Sequence, residues 1–74
     1  MTDAEFEILY EKIKSHTANN ADNDSYVKEL HERKKLDDSQ YVRYVNGDYE
    51  ERQWILQLSK TLGTLYLFER TLSV

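Results

Sequence analysis

The residue types that nucleophilic catalysis needs are present in this 74-residue chain, but their spacing does not bring them together. Ser15 and His16 are neighbours in a segment predicted to be helical, and adjacent residues on a helix do not face one another. Because a nucleophile must lie within hydrogen-bonding distance of its base, we interpret this pair as surface residues. His31, in the segment ELHERKK, is interpreted as a solvated side chain, with a pH-sensitive contact as the alternative.

Paired carboxylates are the second candidate for chemistry, since they serve in acid–base catalysis and as metal ligands. Asp37-Asp38 and Glu50-Glu51 each fall where a helix is predicted to begin, and carboxylates are favoured there as caps and by the helix dipole. The chain has no cysteine, its two histidines are far apart, and its only glycines, Gly47 and Gly63, form no phosphate-binding loop. We therefore expect no catalytic residue, no metal, no cofactor and no enzyme activity.

Two surface features support a binding hypothesis instead. A basic strip in the middle of the chain would normally lie in solvent, and its alternative role is contact with phosphates or acidic groups. Aromatic residues and an arginine flank the Asn46-Gly47 dipeptide, and Tyr, Trp and Arg are enriched at binding hot spots, although the edge of an amphipathic core would also use them. The strip comprises Lys28, Arg33, Lys34, Lys35 and Arg43, and the partner-binding candidates are Tyr41, Tyr44, Tyr49, Arg52 and Trp54.

The size and charge of the chain limit both its stability and its partners. A domain of 74 residues buries about 60% of its unfolded surface, and one core of this size rarely supplies more than roughly 3–5 kcal/mol. Without disulfides or metal, stability must come from regular helix packing or from a second chain. The net charge of −4 is concentrated in residues 1–24, where six acids oppose two lysines, which argues against a general nucleic-acid binder.

The sequence contains no sign of membrane insertion or export. No apolar run approaches the ~18–20 residues of a membrane span. The acidic start MTDAEFE is unlike a signal peptide, which begins with basic residues. We predict a cytoplasmic protein with no membrane association.

Helical elements are predicted to position these residues, in one domain covering 1–74. Helix A, about 3–17, follows a capping box and has an apolar face at i, i+3, i+4 and i+7. Helix B, about 24–46, begins at a capping residue within 22–24. Polar residues interrupt the apolar stripe in the middle of helix B. The helix therefore either continues with a slight kink, which we favour, or breaks at 37–39 with Asp37 as the new cap.

The dipeptide Asn46-Gly47 is a strong hairpin signal, yet the sequence around it favours a corner between two helices. Residues 41–45 have the paired apolar pattern of a helix, and Asp48 with Glu51 forms a capping box. We predict that helix C begins here and runs from about 49 to 70. The β-branched and aromatic content of 41–45 is the evidence for the strand alternative.

Helix C has apolar residues on more than one face, from Trp54 to Phe68. A helix that is apolar nearly all round is buried on several sides, and the narrow stripes of helices A and B do not suffice to cover it. We predict that helix C is the central and most buried element of an all-α bundle of three helices, or four if helix B breaks. A homodimer or permanent complex is expected to cover the rest of it, with Gly63 marking a close helix crossing or a bend.

The segment TDAEFEILYEKI is similar over a dozen residues to the first helix of colicin-type immunity proteins, which are small acidic helical inhibitors. The recognition helix of that family contains a Tyr-Tyr pair that has no counterpart in this sequence. No membership of that family follows.

Small size, mixed charge and the lack of catalytic spacing together indicate a non-enzymatic protein. We predict a small acidic protein-binding or regulatory module, of the adaptor or inhibitor type, that acts as a homodimer and binds a protein partner. The alternative is a nucleic-acid-associated regulator that presents the basic strip of helix B to a groove in dimeric form.

Overall fold

In a computed structural model that describes residues 1–72, the chain folds into four α-helices, and that range contains no strand. The helices are α1 (Asp3–Lys14), α2 (Asn20–Glu32), α3 (Asp38–Asn46) and α4 (Tyr49–Leu72). The predicted all-α bundle is confirmed in its four-helix form. Residues 73 and 74, the last two of the predicted domain, lie outside the described residues.

The capping box predicted at the start of α1 is confirmed, and Asp37, the cap in the alternative of a broken helix B, forms a capping box at the start of α3. Thr2 Oγ1 accepts from the backbone N–H of Glu5 at 3.1 Å, and the Glu5 carboxylate accepts from the N–H of Thr2 at 2.9 Å. Asp37 and Gln40 repeat this exchange at the start of α3, with distances of 2.8 and 3.1 Å. Each box satisfies two backbone donors that a helix start otherwise leaves without a partner.

The start of α2 differs from the prediction. Asn19 is the capping residue, and Asp22 is its reciprocal partner three residues later. Asp22 therefore lies inside the first turn, where a carboxylate also interacts favourably with the helix dipole. The sequence pattern missed this because several Asn and Asp residues in NNADND are equally suitable as caps.

Two residues in the left-handed conformation end the first two helices. His16 has φ 62° and Lys34 has φ 64°. In both cases the amide after the left-handed residue donates to the carbonyl five residues earlier, at 2.9 Å, which is the Schellman arrangement. α1 therefore ends at Lys14, three residues before the predicted end.

The same geometry shows that the favoured prediction of a continuous helix B over 24–46 is wrong. The left-handed turn at Lys34 stops α2 at Glu32, and the break occupies 33–37 rather than 37–39. The turn redirects the chain so that Leu36 enters the core, where it is only 2% exposed. Burial of this one apolar side chain within an otherwise polar segment favours the break over a solvent-exposed polar helix.

The predicted helix–helix corner at Asn46-Gly47 is confirmed, because α3 ends at Asn46 and α4 begins two residues after Gly47. The predicted capping box of Asp48 with Glu51 is only half formed: Asp48 Oδ1 accepts from the N–H of Glu51 at 2.9 Å, without the reciprocal hydrogen bond from the Asp48 N–H to the Glu51 side chain. Gly47 is extended (φ −78°, ψ 167°), so it is not required for a left-handed turn. Glycine is required by close approach: a Cβ at this position would lie 2.2 Å from the carbonyl oxygen of Arg43.

The core lies where α1 and α2 meet one face of α4. Phe6 and Tyr26 are fully buried and stack with ring centroids 5.6 Å apart. The hydroxyl of Tyr26 crosses to α4 and donates to the carbonyl of Ser59 at 2.8 Å. Gly63 lies beside it, and a Cβ there would be 1.8 Å from Tyr26 Oη, so the predicted close crossing is confirmed.

α4 packs against the other three helices, but α2 does so too, and α4 is not the most buried element of the single chain. In α2, three large apolar side chains are fully buried, namely Tyr26, Val27 and Leu30. In α4, Ile55 is the large apolar side chain that reaches 0% exposure, while Trp54 and Phe68 remain more than half exposed. Only one face of α4 is therefore covered, and its other apolar face is in solvent.

Candidate interaction surface

Arg33, which the sequence assigned to the basic strip, is a bridge within the fold. Its Nη1 donates to Asp3 Oδ1 and to the hydroxyl of Tyr66, both at 2.7 Å, and its Nε donates to Glu29 Oε1 at 2.9 Å. The guanidinium also lies 4.9 Å from the centroid of Phe6. The hydrogen bond from Arg33 holds the pKa of the Asp3 carboxyl below its ordinary value. Arg33 thus joins α1, α2 and α4 and is not available to an external anion.

The other members of the strip are distributed over three segments. Lys28 lies on α2, Lys34 and Lys35 lie in the connection to α3, and Arg43 lies on α3. Lys35 pairs with Glu69 at 3.4 Å, and the guanidinium of Arg43 lies 5.8 Å from the ring centroid of Trp54. The prediction of a basic strip along one helix is therefore wrong, because the helix that would carry it is broken.

Tyr44, one of the partner-binding candidates, is a core residue with 6% exposure. Its hydroxyl donates to Asp24 Oδ1 at 2.6 Å, and Arg52 Nη2 contacts the same oxygen at 3.1 Å. The guanidinium of Arg52 lies 5.1 Å from the Tyr44 ring centroid. Burial, together with the hydrogen bond to Asp24, raises the pKa of Tyr44 to about 12. These three residues fasten α2, α3 and α4 together, so their main role in the chain is structural.

The remaining candidates near the corner divide into two groups. Tyr41 is half-buried and stacks on the ring of His31 at 4.4 Å, and His31 Nε2 lies 2.6 Å from Asp38 Oδ1. Tyr49 and Trp54 are exposed, at 75% and 55%. A groove of about 360 Å³ opens beside Tyr44, and both signs of charge line it, from Asp24, Lys28 and Arg52. Three of the five predicted partner-binding residues are therefore exposed, namely Tyr49, Arg52 and Trp54, and of these Arg52 already pairs with Asp24.

No catalytic constellation forms where the sequence placed candidate groups. Ser15 Oγ donates to the backbone carbonyl of Lys12, and His16 occupies the left-handed position that ends α1. Among residues 1–72, no three His, Cys, Asp or Glu side chains lie close enough to hold a metal ion. None of the helices in that range is both long and apolar enough to span a bilayer.

The most prominent surface feature is an apolar ridge on the solvent side of α4, which we call the α4 ridge. Its four large exposed side chains are between 53% and 69% accessible, and two further positions, one partly buried and one exposed, complete the row. The row repeats at intervals of four, three, four, three and four residues, so its members share one side of the helix. The α4 ridge consists of Trp54, Leu58, Thr61, Leu65, Phe68 and Leu72.

Sequence reasoning found Trp54 but missed Leu65, Phe68 and Leu72 as surface residues. The prediction grouped all apolar residues of helix C together, although they form two rows on different sides of the helix. One set includes Ile55, Ser59 and Gly63 and faces the core. The regular four-three spacing of the other set is the signal that separates them, since both periodicities can be read from the sequence.

No known protein family, no curated protein and no solved structure matches this chain. The functional interpretation therefore rests on the geometry of the α4 ridge.

Proposed function

We propose that this protein is a small acidic, non-enzymatic protein-binding module of the adaptor or inhibitor type, that it acts in the cytoplasm, and that the α4 ridge is its docking surface. One observation carries the proposal: four large apolar side chains, Trp54, Leu65, Phe68 and Leu72, are each more than half exposed along one side of a single helix. Scattered exposed apolar residues are ordinary on a soluble protein, whereas a contiguous apolar row marks an interaction site.

The composition of the ridge supports contact with protein. Trp54 and Phe68 are large, stiff side chains of the kind that supply binding energy at the centre of interfaces. Arg43 lies over the Trp54 ring and provides a cation at one end of the ridge. A partner that buries these side chains removes apolar surface from water, which favours association by about 25 cal/mol for each Å².

The alternative function, nucleic-acid binding through Lys28, Arg33, Lys34, Lys35 and Arg43, has less support from the geometry. Arg33 and Lys35 already pair with carboxylates, and Arg43 packs on an aromatic ring. A salt titration with Lys34→Glu separates the two functions. Nucleic-acid binding weakens steeply with salt and with this substitution, and ridge-mediated binding responds to neither.

The proposed function is tested by retention of host proteins, and of added free copies of this chain, on immobilised wild-type chain and on two variants. Phe68→Lys places a charge in the ridge, and Ile8→Lys is the matched control because Ile8 is 62% exposed on α1, away from α4. We expect a specific protein that wild type and Ile8→Lys retain and Phe68→Lys releases. Equal retention by all three chains contradicts the proposal.

A further inference from the structure

We infer that the α4 ridge is occupied by the α4 ridge of a second copy of this chain, packed antiparallel so that the two ridges cross at the level of residue 63, between Thr61 and Leu65. This inference deepens the proposed function and rests on it, since it names the partner that docks on the same surface. In this arrangement Trp54 meets the partner's Leu72, Leu58 meets the partner's Phe68, and Thr61 meets the partner's Leu65.

The spacing of the ridge identifies a helix as its counterpart. Intervals of four and three residues are the a and d positions of a heptad repeat, and such a row packs knobs into holes against another helix. The row extends from Trp54 to Leu72, and 18 intervals at 1.5 Å give a seam of about 27 Å.

The order of side chains along the ridge favours an antiparallel copy over a parallel one. Trp54 and Leu72, Leu58 and Phe68, and Thr61 and Leu65 are pairs equidistant from residue 63. Antiparallel packing therefore sets each bulky side chain against a smaller one at every layer. Parallel packing would place two Trp54 rings in one layer and two small Thr61 side chains in another, which combines overpacking with a void.

The charges beside the ridge are compatible with self-pairing. The residues immediately before Leu58, Leu65 and Leu72 in the sequence are uncharged, so two copies bring no like charges together along this flank. They are Gln57, Thr64 and Thr71, all exposed. At the end of the seam, Arg43 beside Trp54 would lie near the carboxyl end of the partner's α4, where the helix dipole favours a cation. Arg43 would also offset the negative charges of Glu50 and Glu51 at the start of α4 in its own chain.

The exposed area suits a reversible dimer. Side chains of this size present roughly 200 Å² when free. Exposures of 55%, 53%, 60% and 69% for the four large ridge residues therefore amount to on the order of 500 Å² per chain, below the ~800 Å² per partner of a standard stable interface. We expect a dimer whose dissociation constant is on the order of micromolar.

Disulfide trapping tests this register directly, because the chain has no cysteine of its own. Trp54→Cys and Leu72→Cys each introduce one thiol at an exposed position, so neither disturbs the core. A disulfide requires Cα atoms about 4.4–6.8 Å apart. The two copies of position 54 would be about 27 Å apart along the seam, while position 54 would lie opposite position 72 of the other copy.

The single variants and their equimolar mixture are oxidised at a concentration where wild type is dimeric, and products are identified by mass. We expect the mixed disulfide between the two variants and no disulfide in either variant alone. Ile8→Cys mixed with Trp54→Cys is the control for random collision and should give no product, since Ile8 lies off the ridge.

The outcomes separate this inference from the proposed function. Disulfides within each single variant would show parallel packing and overturn the antiparallel register, while ridge-mediated docking would stand. A wild-type chain that sediments as a monomer throughout would overturn the second copy as occupant. If, in that case, Phe68→Lys released a protein that Ile8→Lys retained, the proposed function would survive without the second copy. If Phe68→Lys retained every protein that Ile8→Lys retained, both the proposed function and this inference would fail.

Discussion

Gly63→Ala tests the helix crossing that holds the core together, because two physical effects of known size oppose each other there. In a free helix this substitution stabilises by about 1 kcal/mol, since glycine is a poor helix former. In this fold the added Cβ would lie 1.8 Å from Tyr26 Oη and 3.0 Å from Tyr26 Cζ. An ordinary contact is at least 3.4 Å, so the two groups must separate by about 1.5 Å.

Tyr26 cannot make that movement without losing interactions. Its hydroxyl donates to the carbonyl of Ser59 at 2.8 Å, and its ring is fully buried against Phe6. Overpacking of this kind destabilises by about 1–3 kcal/mol, and a lost hydrogen bond adds about 1 kcal/mol. After subtracting the gain in helix propensity, we expect Gly63→Ala to lower the free energy of unfolding by about 2 kcal/mol and the melting temperature by about 10 °C.

Urea unfolding followed by far-UV circular dichroism measures this change, and Gln53→Ala is the matched control because Gln53 is exposed on α4 and lies off the ridge. The control should change stability by less than about 0.5 kcal/mol. The double variant Tyr26→Phe/Gly63→Ala should be less destabilised than the sum of the single variants, because the clashing oxygen is gone. A Gly63→Ala chain as stable as wild type would refute the close crossing.

Four further substitutions probe the rest of the fold. Arg33→Met leaves Glu29, which is 9% exposed, without its cation and should lower the free energy of unfolding by about 2–4 kcal/mol in urea. The pKa of Tyr44 is raised to about 12 from an ordinary 10.0. The stabilisation linked to this shift is therefore complete below pH 10 and is lost as the pH rises towards 12. In a pH series of melting temperatures, Tyr44→Phe should lose less stability over this range than wild type. His16→Gly and Lys34→Gly each remove the strain of a non-glycine residue in the left-handed conformation. Each substitution should raise the free energy of unfolding by about 0.5–1 kcal/mol. An unchanged or lower melting temperature would contradict the left-handed conformation of these residues.

Local chemistry explains which parts of the fold the sequence predicts. Capping boxes act over three residues, so Thr2 and Asp37 are recognisable from their own surroundings. The corner at Gly47 is recognisable because the apolar residues on both sides have helical spacing. The ends of α1 and α2 are not, because His16 and Lys34 adopt a left-handed conformation that is uncommon for non-glycine residues and that no local pattern in the sequence indicates.

The same distinction between local patterns and contacts distant in the sequence applies to the candidate site. The exposure of Trp54 follows from its position on α4, which is out of phase with the core-facing residues of that helix. The roles of Arg33 and Tyr44 depend on Asp3 and Asp24, which are 30 and 20 residues away in the sequence. Spacing within one helix cannot reveal such pairings, so two residues that resemble binding groups prove to be internal connections between helices.

The central claim is that α4 presents an apolar ridge that a single chain leaves uncovered and that a second copy of the chain covers. Sedimentation equilibrium of the wild-type chain from about 1 µM to about 200 µM tests it most directly. We expect the mean mass to rise with concentration from the 8.9 kDa of one chain towards twice that value, and to stay at one chain for Phe68→Lys. A wild-type mass that remains at one chain over the whole range, with Phe68→Lys behaving identically, would contradict the claim.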